Sequence, residues 1–211
     1  MTTLPKWPED YLQKLSQMNS VFLIGPMNFD YSEVKSDWVV FVDGGSKHHP
    51  HLKSDGIFVG DGDSSTEEMH LKLPENKDVS DLGFVLQSLP NTVKEVQLWG
   101  FLGGRIDHQL AVFGELNKVM LRGNLKRICV ENKMSLFPAG THEFETHQSF
   151  SLMTFKEQKI LIEGEAEYCG DHQFSAFSSL GISNKGSGVV KISSSAPVLV
   201  IFGGVESEQE A

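Results

Sequence analysis

The sequence predicts an α/β amino-terminal domain with a mostly parallel, Rossmann-like sheet, followed by an all-β sandwich or small barrel. In the first 130 residues, continuous apolar runs such as VFLIG at 21–25 alternate with segments of helical period, a pattern typical of strands buried on both faces of a parallel sheet. After about Pro138, short strands stand between turns rich in Gly, Ser, Asn and His, as in antiparallel sandwiches. We therefore predict domains at 1–130 and 131–211, the second ending in a short acidic tail at 205–211 that is expected to fray.

The individual elements follow from the hydrophobic period along the chain. Apolar residues at helical spacing within Trp7–Met18 predict a short amphipathic helix. Buried strands are predicted at 21–25, 38–45, 56–65 and 95–104, helices at 78–89 and 107–120, and one or two strands within 125–137. The interval between Asp43 and Asp61 is short, so a turn is expected there instead of a full helix. The second domain supplies the strands THEFET, SFSLMTF, KILIEG, GVVKISS and APVLVIFGG.

Composition excludes some classes of partner. The formal net charge is -10 over 211 residues, which argues against binding to nucleic acid through a basic face. Cys129 and Cys169 are the two cysteines and form no CxxC motif, so a reducing, cytoplasmic compartment is expected. The sequence shows no secretory signal and no apolar run of about 18 residues, so no membrane association is expected.

Three predicted strands end in carboxylates or glycines, in the segments VDGGS, GDGDSS and GFLGGRIDH. Ligands of open parallel sheets bind at the carboxyl edge of the strands, so these ends are expected to meet around a ligand. Asp43 ends one strand, and Gly44 and Gly45 after it allow a ligand to approach the backbone closely. Taken alone, VDGGS is also an ordinary turn sequence.

The segment GDGDSS is the candidate metal site. Asp61 and Asp63 are two residues apart on an extended segment, so their carboxylates point the same way and repel each other. A hard cation such as Mg²⁺ resolves this repulsion, and it takes one or two carboxylates together with waters and substrate phosphates. The alternative is a polar turn after a strand, since Asp and Gly favour turns.

The segment KDVSD precedes a predicted helix. Asp78 as N-cap with Asp81 in the first turn makes a capping arrangement. The functional alternative keeps Asp78 as the cap and directs Asp81 or Lys77 into the site, where lysine is a point-charge binder of phosphate.

The segment GGRIDH lies at a strand-to-helix turn. Gly103 and Gly104 expose backbone N–H groups beside a helix amino terminus, which attracts phosphate. Arg105 has a planar guanidinium fork suited to phosphate oxygens, and Asp107 is a candidate cap, metal ligand or orienting carboxylate. His108 is either a base or a hydrogen-bonded structural histidine. The motif matches neither GxGxxG nor a Walker loop.

Two other features are interpreted as structural. His48, His49 and His51 lack further ligands at a zinc-finger spacing, so we expect a solvated loop there. Cys129 lies in an apolar strand and is expected to be a small buried residue.

In this order, the segments DGGS, GDGDSS, KDVSD and GFLGGRIDH resemble the thiamine pyrophosphokinase family, and LGISN at 180–184 resembles that family's segment containing Ser-Asn. The resemblance spans roughly residues 38–203. It implies an α/β domain followed by a β-rich domain, transfer of a diphosphoryl group from ATP to the hydroxyl of thiamine, release of AMP, and a dependence on Mg²⁺. It also implies a homodimer in which thiamine lies between the first domain of one subunit and the β-domain of the other.

The resemblance carries roles onto particular residues. It implies that Mg²⁺ is held by Asp61, Asp63 and Asp81, and that the catalytic residues are these three together with Arg105 and Asp107. The residues that it implies for ATP binding are Asp43, Gly44, Gly45, Lys77, Gly103, Gly104, Arg105 and His108. Those that it implies for thiamine binding are Tyr168, Ser183 and Asn184. The segment EGEAEYCGD at 163–171 departs from the family pattern, which leaves two alternatives open. One is a diphosphokinase for another alcohol, such as a hydroxymethylpterin, and the other is a protein that binds nucleotide or thiamine without turnover.

Overall fold

A computed structural model describes residues 3–65 and 67–203, so the predicted acidic tail lies outside the described residues. These residues form two compact units, one made of residues 3–119 and 128–131 and the other of 120–127 and 132–203. The division into folding domains at 1–130 and 131–211 remains a prediction. Within the described ranges, no helix is long and apolar enough to cross a membrane.

The first unit holds six strands and three α-helices. The strands are β1 (Ser20–Ile24), β2 (Trp38–Val42), β3 (Asp55–Gly60), β4 (Leu71–Lys72), β5 (Glu95–Trp99) and β6 (Arg127–Val130), and the helices are α1 (Glu9–Ser16), α2 (Asp81–Ser88) and α3 (Ile106–Met120). The strand order is β6-β5-β1-β2-β3-β4, and the pairs from β5 to β4 are parallel. All five residues of β2 are buried, as the continuous apolar run predicts for a central parallel strand.

The prediction of a mixed chain of strands and helices is confirmed, but α-helices occupy few of the connections. Short 3₁₀ helices lie at Tyr31–Glu33 after β1 and at Asp43–His51 after β2. Full helices lie only in the β4–β5 and β5–β6 connections of the described residues. The interval between Asp43 and Asp61 therefore lacks an α-helix, as its length predicts.

The start of α2 corrects a predicted cap. Ser80 is the N-cap, with extended backbone, and its Oγ accepts a hydrogen bond of 3.0 Å from the N–H of Gly83. Asp81 is the first helical residue. Because the serine hydroxyl satisfies a first-turn donor, Asp78 is not the cap and Asp81 is available for other contacts.

The histidine segment also differs from prediction. His48 is buried inside the 3₁₀ helix, and its Nδ1 lies 2.8 Å from the hydroxyl of Tyr31. His49 is half-buried and His51 is exposed. The ring of His48 packs edge-on against Phe29, so it is part of the packed structure and a solvated loop was the wrong expectation.

The second unit is antiparallel. Its strands are β7 (Met134–Phe137), β8 (Gly140–Thr146), β9 (Ser149–Thr154), β10 (Gln158–Ala166), β11 (Gly170–Phe174), β12 (Asn184–Ser194) and β13 (Val198–Phe202). The first two residues of β12 pair with β9, and the rest of β12 pairs with β8 and β10. Strand β12 therefore belongs to two sheets, β7-β13-β9-β12 and β8-β12-β10-β11. Residues of both sheets, among them Phe150, Val200, Ile160 and Val190, form one apolar core, the arrangement of a sandwich.

Candidate functional site

The carboxyl ends of neighbouring parallel strands open into one cleft of about 520 Å³. Asp43 directly follows β2, Asp61 follows β3, and the segment 100–105 follows β5. Since these strands are parallel neighbours around β1, their ends share one edge. The predicted residues that line the cleft are Asp43, Asp61, Asp63, Lys77, Asp81, Gly103, Arg105 and His108.

Three carboxylates in this cleft form a group that could hold a cation. One oxygen from each of Asp43, Asp61 and Asp63 lies within 4.8 Å of the others. Oδ1 of Asp43 is buried and has no hydrogen-bond partner among the described residues, and an unsatisfied buried carboxylate oxygen is costly without a cation or donor. Hard oxygen ligands of this kind suit Mg²⁺. The donor set and the orphaned oxygen together fit the implied metal.

Asp43 has an unusual environment. Its φ is 49°, in the left-handed region that residues other than glycine rarely adopt. Burial raises the pKa of Asp43, and the negative charges of Asp81, Asp63 and Asp61 raise it further, while a hydrogen bond from the backbone of Gly44 opposes the rise. Asp43 is therefore a carboxylate for which a bound cation would relieve both burial and repulsion.

Lys77 is enclosed by oxygen atoms. Its Nζ lies 3.1 Å from Asp61 Oδ2, 2.9 Å from Asp81 Oδ1 and 3.0 Å from the carbonyl oxygen of Pro74. The three side chains Lys77, Asp61 and Asp81 are only 6%, 16% and 13% exposed. An ammonium group has three donors, so Lys77 acts here as an internal counter-ion whose donors already face oxygen atoms.

Lys77 and Asp81 form a close ion pair, with 2.9 Å between Nζ and Oδ1. Burial raises the pKa of Asp81, and Lys77 only partly offsets this. Burial also acts to raise the pKa of Asp61, but the bonds from Lys77 and from the N–H of Asp63 outweigh it, so that pKa is lowered. For Lys77, burial acts to lower the pKa, and the two carboxylates reverse this and raise it. Of the two carboxylates beside Lys77, Asp61 is thus better stabilised as an anion than Asp81.

Arg105 and Asp107 form a bidentate ion pair at the start of α3. Nε of Arg105 donates to Asp107 Oδ1 at 3.1 Å, and an Nη donates to Oδ2 at 2.5 Å. Oδ1 of Asp107 also accepts from the N–H of His108 at 3.0 Å. The hydrogen bonds from Arg105 lower the pKa of Asp107, and the same bonds raise the pKa of Arg105. Because both side chains are exposed, an anion can compete with Asp107 for the guanidinium fork.

The predicted glycines have different roles. Gly103 and Gly104 have φ of 102° and 70°, conformations that glycine adopts without strain. Gly44 and Gly45 are buried, and a Cβ on Gly45 would lie 2.0 Å from the carbonyl oxygen of Ile24. Gly45 is therefore explained by close packing of the backbone against the end of β1. Gly44, Gly45, Gly104 and Asp107 are not among the residues that line the cleft.

The predicted thiamine residues lie in the second unit. Oδ1 of Asn184 accepts from the N–H of Tyr168 at 3.0 Å, and Nδ2 of Asn184 donates to the carbonyl oxygen of Tyr168 at 2.9 Å. Asn184 is buried, whereas the side chain of Tyr168 is 59% exposed. Ser183 has a φ of 62°, and its N–H donates to Oγ of Ser151 at 3.1 Å. The carboxamide of Asn184 thus clamps the backbone at Tyr168, and the aromatic ring is left at the surface.

Known structures share this arrangement of elements. The crystal structure of thiamine pyrophosphokinase from Bacillus subtilis aligns with a TM-score of 0.71 at 20% identity, covering 88% of this chain and 100% of that one. The chain has the thiamine pyrophosphokinase fold. Thiamin pyrophosphokinase from Geobacillus thermodenitrificans aligns with a TM-score of 0.67 at 20% identity, covering 89% of this chain and 99% of that one. The enzyme from Candida albicans aligns at 0.63 and 12% identity, with 89% of each chain covered.

The sequence itself matches no protein-family model and no curated protein. At these identities the thiamine pyrophosphokinase fold is what the structural likeness shows, and function has to be argued from the site.

Within this thiamine pyrophosphokinase fold, sequence reasoning missed one wall of the cleft. Pro26 and Met27 line it together with Phe101 and Gln109. Pro26 and Met27 follow the end of β1, and no charged residue there signals a ligand site. The rule that ligands bind at strand ends applies equally to β1 and would have found them.

Proposed function

We propose that the chain is a thiamine diphosphokinase, which transfers the diphosphoryl group of ATP to the hydroxyl of thiamine and releases AMP. The observation that supports this most is the convergence of Asp43, Asp61 and Asp63 in one cleft with Arg105 and the glycine turn. The thiamine pyrophosphokinase fold of the chain agrees with it. In this proposal the first unit is a Rossmann-like catalytic domain and the second contributes to thiamine binding.

The chemistry requires positioning and charge neutralisation more than covalent catalysis. The hydroxyl oxygen of thiamine forms a bond to the β-phosphorus, the bond between that phosphorus and the oxygen bridging to the α-phosphate breaks, and AMP leaves with the electron pair. The hydroxyl proton is released to water as the new oxygen–phosphorus bond forms. Mg²⁺, when bound, supplies positive charge to the phosphate oxygens.

The residues of the cleft then have distinct roles. We assign Asp43, Asp61 and Asp63 to hold Mg²⁺, since their oxygens already converge. Asp81, which the family resemblance assigns to the metal, lies against Lys77, so we assign it instead to fix that lysine beside Asp61. The fork of Arg105 binds phosphate oxygens in place of Asp107.

The proposal also includes an assembly and a compartment. We propose a homodimer in which thiamine lies between the first unit of one subunit and the second unit of the other, with Tyr168 and Ser183 near it. Asn184 supports the site by holding the backbone of Tyr168. We propose a cytoplasmic location, because Cys129 and Cys169 are both free thiols, as is usual in a reducing compartment.

The test is AMP release from ATP and Mg²⁺ in the presence and absence of thiamine, with mass detection of thiamine diphosphate. The proposal expects AMP only with thiamine, in equal amount to the diphosphate product, and none in EDTA. Release of AMP with a hydroxymethylpterin but not with thiamine would show that the acceptor is the pterin alcohol. Binding of ATP without AMP from any alcohol would reduce the chain to a binding protein.

A further inference from the structure

We propose that Glu131 is a positioning residue for the nucleotide site, because its carboxylate fixes the glycine turn that lines the cleft. This inference rests on the proposed function for the identity of the ligand, a Mg²⁺-bound nucleoside triphosphate. Glu131 follows β6 in the first unit and does not line the cleft. It therefore acts through the turn and touches no substrate.

One carboxylate oxygen gathers two backbone donors of this turn. Oε1 of Glu131 accepts from the N–H of Gly100 at 3.2 Å and from the N–H of Leu102 at 3.3 Å. The N–H of Glu131 donates to the carbonyl oxygen of Leu98 at 2.9 Å. The backbone of Glu131 is thus anchored to the end of β5, and its side chain holds Gly100 and Leu102, which follow that strand.

The turn is also held on its other side. The carbonyl oxygen of Gly100 accepts from the N–H of Met27 at 2.8 Å, and a Cβ on Gly100 would lie 2.7 Å from the carbonyl oxygens of Gly25 and Met27. The segment therefore runs between the end of β1 and Glu131. Gly103 and Arg105, which line the cleft, follow directly, so their position depends on how firmly this segment is held.

The backbone of Glu131 shows that the side chain matters. Its φ is 50°, a left-handed conformation that Gly or Asn adopts at lower cost than Glu. A turn selected for its backbone alone would favour one of those residues. A glutamate here is explained by the two hydrogen bonds that its charged carboxylate makes, since bonds to a charged acceptor are stronger than neutral ones.

The experiment compares Glu131→Gly, Glu131→Gln and Asn132→Gly with the wild type. Glu131→Gly relieves the left-handed backbone but deletes the acceptor, Glu131→Gln keeps an acceptor oxygen, and Asn132→Gly relieves the neighbouring residue, whose φ is 52°. Binding of α,β-methylene-ATP with Mg²⁺ is measured by calorimetry, together with KM for ATP and for thiamine, and the melting temperature.

We expect Glu131→Gly to weaken nucleotide binding roughly tenfold, the worth of about one good hydrogen bond to a charged group. Glu131→Gln should recover most of that loss, Asn132→Gly should bind as the wild type does, and KM for thiamine should stay constant in all three. A purely structural glutamate would instead lower the melting temperature without this selective loss.

Wild-type affinity in a folded Glu131→Gly, or a Gln variant as weak as the Gly variant, would overturn the proposal. If Glu131→Gly does not fold, Glu131→Asp decides, because the shortened carboxylate cannot span both amides and should show the same selective loss. If the wild type binds the nucleotide analogue but transfers nothing to thiamine, only the proposed acceptor is refuted. The affinities of the Glu131 variants for the analogue still test the role of Glu131 in that case. A wild type that binds no Mg²⁺-nucleotide refutes both.

Discussion

Replacing Lys77 by methionine tests whether the lysine is the internal counter-ion of the carboxylate cluster. The substitution keeps an unbranched side chain and removes the charge that lies 3.1 Å from Asp61 and 2.9 Å from Asp81. At an effective dielectric constant of 20, each such pair is worth about 5 kcal/mol of Coulomb energy before desolvation is subtracted. Breaking a buried pair by removing one partner destabilises proteins by about 3–5 kcal/mol. We expect the lower end, about 3 kcal/mol, since the side chains retain some exposure.

The assay is thermal unfolding in EDTA, followed by circular dichroism. For a chain of this size, 1 kcal/mol corresponds to roughly 2–4 °C, so Lys77→Met should melt about 6–12 °C below the wild type. The matched control is Lys118→Met, which removes a lysine that is 53% exposed and 3.9 Å from Glu115. A long ion pair with an exposed lysine contributes less than about 1 kcal/mol, so the control should melt within about 3 °C of the wild type.

Added Mg²⁺ sharpens the test. In Lys77→Met the aspartates lack their internal cation, so Mg²⁺ should raise the melting temperature more in this variant than in the wild type, as expected for a ligand of the folded state. The reasoning is refuted if Lys77→Met melts no lower in EDTA than Lys118→Met does. Equal stabilisation of wild type and variant by Mg²⁺ would contradict the assignment of the cation site to the aspartates beside Lys77.

Three further outcomes are expected. Asp63→Asn should reduce turnover by on the order of 100-fold or more with an unchanged melting temperature, because an amide is a weaker cation ligand; normal activity would remove the metal-site assignment, and AMP release measures it. Arg105→Lys should lose roughly tenfold or more in kcat/KM, since an ammonium cannot replace the fork now paired with Asp107; an equal rate would show that the fork binds no phosphate. Burial, followed by the nearby positive charges, lowers the pKa of His48, so its neutral form is favoured in the folded state and its contribution is complete above the ordinary value of about 6.5. The melting temperature of the wild type should fall as pH decreases from about 6.5 towards the lowered folded pKa. The melting temperature of His48→Gln, which retains an acceptor for Tyr31, should fall less over the same pH range.

The residues at the carboxyl edge of the parallel sheet could be predicted from the sequence, because two simple rules determine which residues lie there. Apolar runs identify buried parallel strands, and parallel strands bring their carboxyl ends together. These rules predict that Asp43, Asp61 and the glycine turn lie at one edge, and all three line the same cleft in the structure. Strand β4, with two residues, and β11, with the polar sequence GDHQF, carry no such hydrophobic signal, so the sequence did not reveal them.

Partners of individual side chains could not be predicted in the same way. Lys77 and Asp81 are four residues apart, a spacing that brings side chains together in a helix, but Lys77 precedes α2 and its contact with Asp61 spans 16 residues. The cap of α2 depended on whether Ser80 or Asp78 had extended backbone at the helix start, and both residue types are good caps. Such choices are decided by the packing of the whole unit, which the local sequence does not contain.

The Asn184 carboxamide holds the protein backbone, whereas the Asp43 carboxylate faces the cleft. A Ser-Asn pair matches a family motif whether its residues touch a ligand or hold the fold, because both uses require the same side chain. In this chain both polar atoms of the Asn184 carboxamide already bond the backbone of Tyr168, and the left-handed φ of Ser183 fits a tight turn before β12. The motif is therefore fully explained by local structure. By contrast, the buried oxygen of Asp43 that lacks a partner among the described residues has no such local explanation. A polar side chain whose atoms all bond the local backbone argues for architecture, whereas a buried carboxylate oxygen without a partner, beside two further carboxylates, argues for a bound cation.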